Sequence, residues 1–373
     1  MPAYLDYAAT APMRPAARRA WLAAAQGPVN PSSLHGSGRA AAHRLEDARE
    51  RIAALAGVPA LQVVFTSGGT ESDIIGITGR YATRRRPRVL VGSGEHKAVL
   101  DTVRALPGVR AEPIPLTPDG APDHVALQGM IGDDVALVAV MAANNEVGAV
   151  TDLGAVAQVC AAAGVPWHCD AVQWPATRPL AELPAATTVA LSGHKVGGPV
   201  GIGALLVREP LPVHSHGGEQ EGGIRSGTVN VAGASAFAAA LADADGRRSE
   251  EAARVRALRD DLRAGILAAV PDAVVNGGAD TLVSHLHVTF PGCEGDALLM
   301  LLDAAGVQVS AGSACSAGVP QASHVLVAMG LAPAEARGSL RFTLGWASSA
   351  GDVAQAVGAI GPAVARARRA VLR

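Results

Sequence analysis

The residues best suited to chemistry in this chain gather between Val165 and Lys195. A short apolar run, Val165 to Cys169, ends in Asp170, with Gln173 close behind. A second run, Val189 to Leu191, ends in Ser192, Gly193, His194 and Lys195. Two neighbouring buried strands would thus deliver a carboxylate and an amine at their tips. That pair suits pyridoxal phosphate (PLP). A lysine forms a Schiff base with its aldehyde, and an aspartate keeps its pyridine nitrogen protonated.

Other segments supply what such a cofactor needs. Ser67-Gly68-Gly69-Thr70 lies between an apolar run and a helix-like segment. It reads either as an ordinary capped turn or as an anion cradle, where glycines let backbone N–H groups approach a phosphate. It is neither a dinucleotide fingerprint nor a Walker P-loop. Lys195 sits among glycines and apolar residues, where desolvation and nearby positive charge would lower its pKa toward a nucleophilic amine. Asp170 at the end of a central strand needs a partner, which a pyridinium would provide. His96 can be a core histidine or a ring stacked on the cofactor. Cys315 differs from Cys160, Cys169 and Cys293, which read as small buried apolar residues. It lies in a loop of small residues, Ser310 to Gly318, that suits an accessible thiol.

The elements that must position these groups follow from periodicity. Candidate strands are 63–65, 89–91, 137–141, 166–169, 189–191 and 203–207, alternating with helix-length segments such as Asp152–Ala163. This predicts an α/β fold with a mostly parallel sheet covered by helices, and polar groups at the carboxyl ends of its strands. Past about residue 245 the pattern changes. Arg247–Val270 reads as a long amphipathic helix, followed by short strands at 274–275, 286–290 and 307–310 around a helix at 295–305. Two domains are expected: a large one over residues 15–250 and a smaller α+β one over 251–373, on which residues 1–14 can pack.

Composition narrows the class. The chain has 373 residues, 49% hydrophobic and 17% charged, enough for a sizeable core; only 3% are aromatic, so small aliphatics must fill it. With 31 basic and 33 acidic residues, nothing favours nucleic acid or an anionic membrane as partner, and Arg84-Arg85-Arg86 reads as a solvated face. There is no leader-like start, no run long enough to span a membrane and no C-x-x-C pair, so a reducing, cytoplasmic setting without a metal site is expected.

Taken in order, the motifs resemble those of cysteine desulfurases of the class V aminotransferase family, which are fold-type I PLP enzymes. The resemblance runs from Tyr4-Leu5-Asp6-Tyr7-Ala8-Ala9-Thr10 through Asn30-Pro31-Ser32-Ser33, Thr66 to Ser72, Glu95-His96-Lys97 and Asn144-Asn145-Glu146. It continues through Asp170 to Gln173, Ser192 to Lys195, Arg225 to Thr228, Gly312 to Cys315 and Leu340 to Gly345. It implies a seven-stranded sheet in the large domain. It also implies that Lys195 would hold PLP and move protons, Asp170 would pair with the ring nitrogen, and Gln173 would bond the ring oxygen. His96 would stack on the ring and assist proton transfer. Gly69, Thr70, Ser192 and His194 would hold the phosphate, with Thr228 reaching in from the second subunit of a homodimer. Asn145 and Arg341 would bind the carboxylate of L-cysteine. Cys315 would take the sulfur as a persulfide, leaving alanine, and pass it to an acceptor protein such as an iron–sulfur scaffold or a tRNA-thiolating enzyme. Ser316 to Ala322 intervene before Ser323-His324-Val325-Leu326, a long Cys loop that favours cysteine over selenocysteine. A class V aminotransferase, or a lyase acting on selenocysteine or cysteine, is the alternative. Ala11 departs from the Thr common in the family, without touching a catalytic position.

Overall fold

The computed structural model describes residues 2–212, 217–311 and 322–371. Strands β1 (Ala3–Tyr4), β2 (Val63–Thr66), β3 (Arg88–Gly92), β4 (Arg110–Ile114), β5 (Val135–Met141), β6 (Trp167–Asp170), β7 (Thr188–Ser192) and β8 (Gly203–Val207) come first. All but β1 form one seven-stranded sheet in the order β2-β8-β7-β6-β5-β3-β4. Only β8 runs against its neighbours, so β2, β3, β5, β6 and β7 all end on the same edge. All seven residues of β5 are buried, as an apolar run covered on both faces requires. The six expected strands are present. The seventh, β4, escapes a periodicity search because its Arg-Ala-Glu-Pro-Ile sequence is polar and carries Pro113, tolerable only at a sheet edge.

The second unit contains β9 (Val274–Asn276), β10 (His285–Thr289), β11 (Val307–Gln308) and β12 (Ser339–Thr343). β10 lies between β12 and β9, antiparallel to both, while β1 pairs in parallel with β11. β12 is a strand that its sequence displayed only as a motif.

One helix, Val231–Ala269, joins the two units. At 39 residues it begins well before the expected Arg247. Asn230 caps it, its side chain accepting from the Gly233 N–H at 2.9 Å. Its first half is Ala-rich and buried on most sides, so it shows no amphipathic stripe to read. Phe237, Leu241 and Ala244 pack in the large hydrophobic cluster, whereas Val255, Leu258, Leu262 and Ile266 pack in a second one with Ala3 and Leu5. We propose that the large unit, residues 15–250, and the small unit, 251–373, divide within this helix.

Arg14 clamps that helix to the sheet. Its buried guanidinium bonds Glu251 at 2.7 and 2.9 Å, Asp243 at 2.9 Å and the Val196 carbonyl at 3.0 Å, and it lies over the Trp346 ring. Removing one side of such a cluster strands the other charges away from water. Arg14→Met is therefore expected to cost about 3 kcal/mol, read as a lowered midpoint in urea unfolding.

Candidate active site

The shared edge of the sheet opens into a cavity of about 440 Å³. Gly69 and Thr70 stand at one end of it, and Asn145 and Arg341 at the other. His96, Asp170, Gln173, Ser192, His194 and Lys195 line the space between.

The end near Gly69 is built for an anion. The helix Gly69–Arg84 starts there with no side-chain cap, so its first N–H groups remain available. A Cβ on Gly69 would fall 2.6 Å from the Val172 methyl, and one on Gly203 would fall 2.7 Å from the Gly68 backbone. Only glycine allows these close approaches. Ser192 Oγ and His194 Nδ1 are buried there without any hydrogen-bond partner among the described residues. Orphaned polar atoms of this kind beside a helix amino terminus fit a phosphate, whose oxygens would complete them. Burial first, and then Lys195, lower the His194 pKa to about 4, so its ring stays neutral.

Asp170 and Lys195 sit deeper. Asp170 accepts the Val172 N–H at 2.9 Å; burial raises its pKa, while that N–H bond, His96 and Lys195 oppose the rise. Lys195 Nζ donates to the Ala8 carbonyl at 2.6 Å and the Ala9 carbonyl at 3.0 Å. Burial, and next the Arg341 charge, bring its pKa down to about 8, against the pull of Asp170 and Asp6. Roughly a quarter of the amine is then neutral at pH 7.5, against about one part in a thousand for an ordinary lysine. Gln173 Nε2 donates to the Ala8 carbonyl at 3.0 Å, so the amino-terminal segment floors this part of the cavity. A buried carboxylate, a partly neutral amine and an anion cradle are the three fittings that PLP requires, and the chain's residues match it.

The far end holds Arg341. Its guanidinium donates to Asp6 at 2.7 Å and to the Asn145 carbonyl at 2.8 Å, leaving Nε buried without a partner. Asp6 belongs to the motif Tyr4–Thr10, which by itself points to no task for its carboxylate. Its partner lies on β12, 335 residues away, a proximity no local pattern reveals. His96 caps the helix Lys97–Ala105, its Nδ1 accepting the Ala98 N–H at 3.1 Å. Its ring opens to the cavity, yet packing on the protein side lowers its pKa; Asp170 opposes this, and Lys195 and His324 reinforce it.

Two more carboxyl groups lie beneath. Glu95 accepts the Met141 N–H at 2.6 Å, and its second oxygen is buried without a partner. Asp73 contacts His168 Nε2 at 3.1 Å, and His168 Nδ1 meets Thr188 Oγ at 2.9 Å. Burial, and then the Asp170 charge, push the Glu95 and Asp73 pKa values well up, while burial drops His168 to about 3. Burial thus disfavours charge on both members of the Asp73–His168 contact.

One expected site residue falls elsewhere. Thr228 is exposed and outside this cavity. Cys315 lies outside the described residues. Among the described residues no three His, Cys, Asp or Glu side chains gather as a metal site, and no helix is long and apolar enough to cross a membrane.

The aminotransferase class-V family profile matches residues 3–355. The chain belongs to that family. It is 48% identical to the IscS-like cysteine desulfurase of Mycobacterium tuberculosis, over 99% of this chain and 98% of that protein. It is 39% identical to a cysteine desulfurase of Cereibacter sphaeroides, over 98% and 96% of the two chains. Among solved structures, a NifS-like protein superposes with a TM-score of 0.90 at 30% identity, covering 98% of this chain and all of the other. The fold is accordingly that of class V PLP enzymes.

The Arg341 charge provides a test of the site's electrostatics. Arg341→Gln removes a cation near Lys195 and leaves Asp6 unpaired, and both changes raise the amine's pKa. Labelling of Lys195 by acetic anhydride in the cofactor-free protein, followed by mass spectrometry, is expected to rise through about pH 8 without the substitution. In the variant the rise should move to higher pH.

Proposed function

We propose that this chain is a PLP-dependent L-cysteine desulfurase that takes the sulfur onto Cys315 as a persulfide and releases L-alanine. The observation that carries this reading is the single cavity joining the Lys195 amine, the Asp170 carboxylate and the orphaned Ser192 and His194 atoms.

In this reading Ser192, His194, Gly69, Thr70 and the helix amino terminus hold the phosphate, and Asp170 pairs with the ring nitrogen. Gln173 bonds the ring oxygen, and His96 stacks on the ring. Bound PLP supplies an electron sink for charge that develops at the substrate α-carbon. Lys195 carries protons at Nζ, freed for this by its lowered pKa. Arg341, aimed by Asp6, offers Nε to the substrate carboxylate, with Asn145 beside it. Helix 69–84 and the segment Tyr7–Thr10 wall the site from bulk water. Thr228, exposed on this chain, completes the phosphate site of the second subunit in a homodimer. A sulfur-acceptor protein, an iron–sulfur scaffold or a tRNA-thiolating enzyme, then collects the persulfide in a reducing cytoplasm. The three described cysteines are buried and unpaired, as such a setting favours.

Purified protein with L-cysteine and a thiol reductant should give equal amounts of alanine and sulfide. Cys315→Ala should lose both by at least about a hundredfold, and Lys195→Ala should lose the near-visible absorbance of bound PLP. Pyruvate with sulfide would mean β-elimination and overturn the desulfurase reading. Ser192→Ala should raise the Kd for PLP about tenfold, measured by fluorescence titration of the cofactor-free protein.

A further inference from the structure

Thr228 is exposed, yet the loop that presents it is anchored in the interior. The anchor is Glu221, whose side chain is only 2% exposed. Its two oxygens accept from the Arg49 guanidinium at 2.7 and 2.8 Å, a bidentate pair. One of them also accepts the Phe65 N–H at 2.6 Å. Arg49 comes from the helix Gly36–Ala56, lies over the Phe65 ring and donates to the Val63 carbonyl. β2 is an edge strand, with a row of N–H and C=O groups facing away from β8. Glu221 and Arg49 together satisfy a donor and an acceptor of that row.

Glu221 reaches them from the left-handed region, with φ 50° and ψ 41°. Among the described residues, the other non-glycine with positive φ is Arg85, which ends a helix, where that conformation is ordinary. At Glu221 the buried ion pair holds the strain in place. The loop is fastened again nearer Thr228. Ile224 packs against Val64, Leu205 and Val207, Arg225 Nε donates to Glu71 at 3.4 Å, and the Gly227 N–H donates to Gln220 at 3.0 Å. Asn230 then caps the long helix. The chain thus orders, on both sides, a threonine that it presents to solvent.

We propose that Glu221 is a positioning residue for the cofactor site of the second subunit: anchored within one chain, it fixes the Thr228 that completes the phosphate site of the other. This rests on the homodimer reading. A loop fixed before the phosphate arrives loses little further freedom on meeting it, so the contact contributes more to affinity. Without the carboxylate the turn stays strained and loses its anchor, and the loss falls on the neighbour's site. The same loop also touches the phosphate end of its own chain, because Glu71 accepts the Ser67 N–H. The two effects are separable, since they fall on different subunits.

The test uses mixed dimers of full-length chains, purified through two different tags, with Lys195→Ala on one subunit. PLP is trapped on Lys195 by borohydride and quantified by mass spectrometry, so only the site with an intact lysine reports. Two loop variants are compared. Glu221→Gln keeps an acceptor for the Phe65 N–H but loses the charge, while Arg49→Met together with Glu221→Met strands no buried charge and so protects the fold. With either variant on the Lys195→Ala subunit, half-saturating PLP is expected to rise about tenfold. With the variant on the same chain as Lys195, it should stay at the unaltered value. The reverse pattern, equal weakening in both arrangements, or no change in either would overturn the proposal. Failure of the homodimer reading would show separately, as a monomer in sedimentation or as Thr228→Ala with unchanged PLP affinity in every arrangement, and would take the proposal with it.

Discussion

An ionised carboxylate held away from water must be balanced by charges and N–H groups placed for it, and Asp170 sets that demand here. It is only 7% exposed at the end of a central strand. The Val172 N–H, His96 and Lys195 all favour its charge. Its field then shapes its surroundings. Burial first, and then its charge, raise the Glu95 and Asp73 pKa values, while burial alone lowers that of His168.

The amine obeys the same field with the opposite sign. Asp170 and Asp6 would hold Lys195 protonated, yet burial and Arg341 outweigh them. Arg341 can stand so close only because Asp6 compensates it. The acid–base poise of the centre is thus set by a four-charge arrangement, two carboxylates and two cations, drawn from both units of the fold. The anion end works differently. It relies on steric fit, since Gly69 lets the helix start lie against Val172 and Gly203 lets β8 lie against the Gly68 backbone.

What the sequence displayed was the part of this design that is local. Apolar runs ending in polar residues identified five strand ends, because burial on both faces leaves an uninterrupted apolar stretch whose end is abrupt. Asp170, Lys195 and Ser192 stood out for that reason. β4 did not, since an edge strand is polar, and neither did the first half of helix 231–269, since burial all round leaves no stripe. The Asp6–Arg341 pair joins positions 335 residues apart, and His324 meets Glu95 across 229. No periodicity encodes such meetings; motif resemblance placed Arg341 in the site but not the reason for its orientation.

The amino-terminal strand has a consequence for how the molecule is made. Tyr4 pairs with Gln308, Asp6 with Arg341, and Ala8 and Ala9 give their carbonyls to Lys195. During synthesis residues 3–9 leave the ribosome long before positions 307–343 exist, so they must wait without their partners. The large sheet can assemble around a lysine whose backbone acceptors are not yet fixed. Competence for chemistry then arrives last, when the carboxyl-terminal unit draws this segment into place.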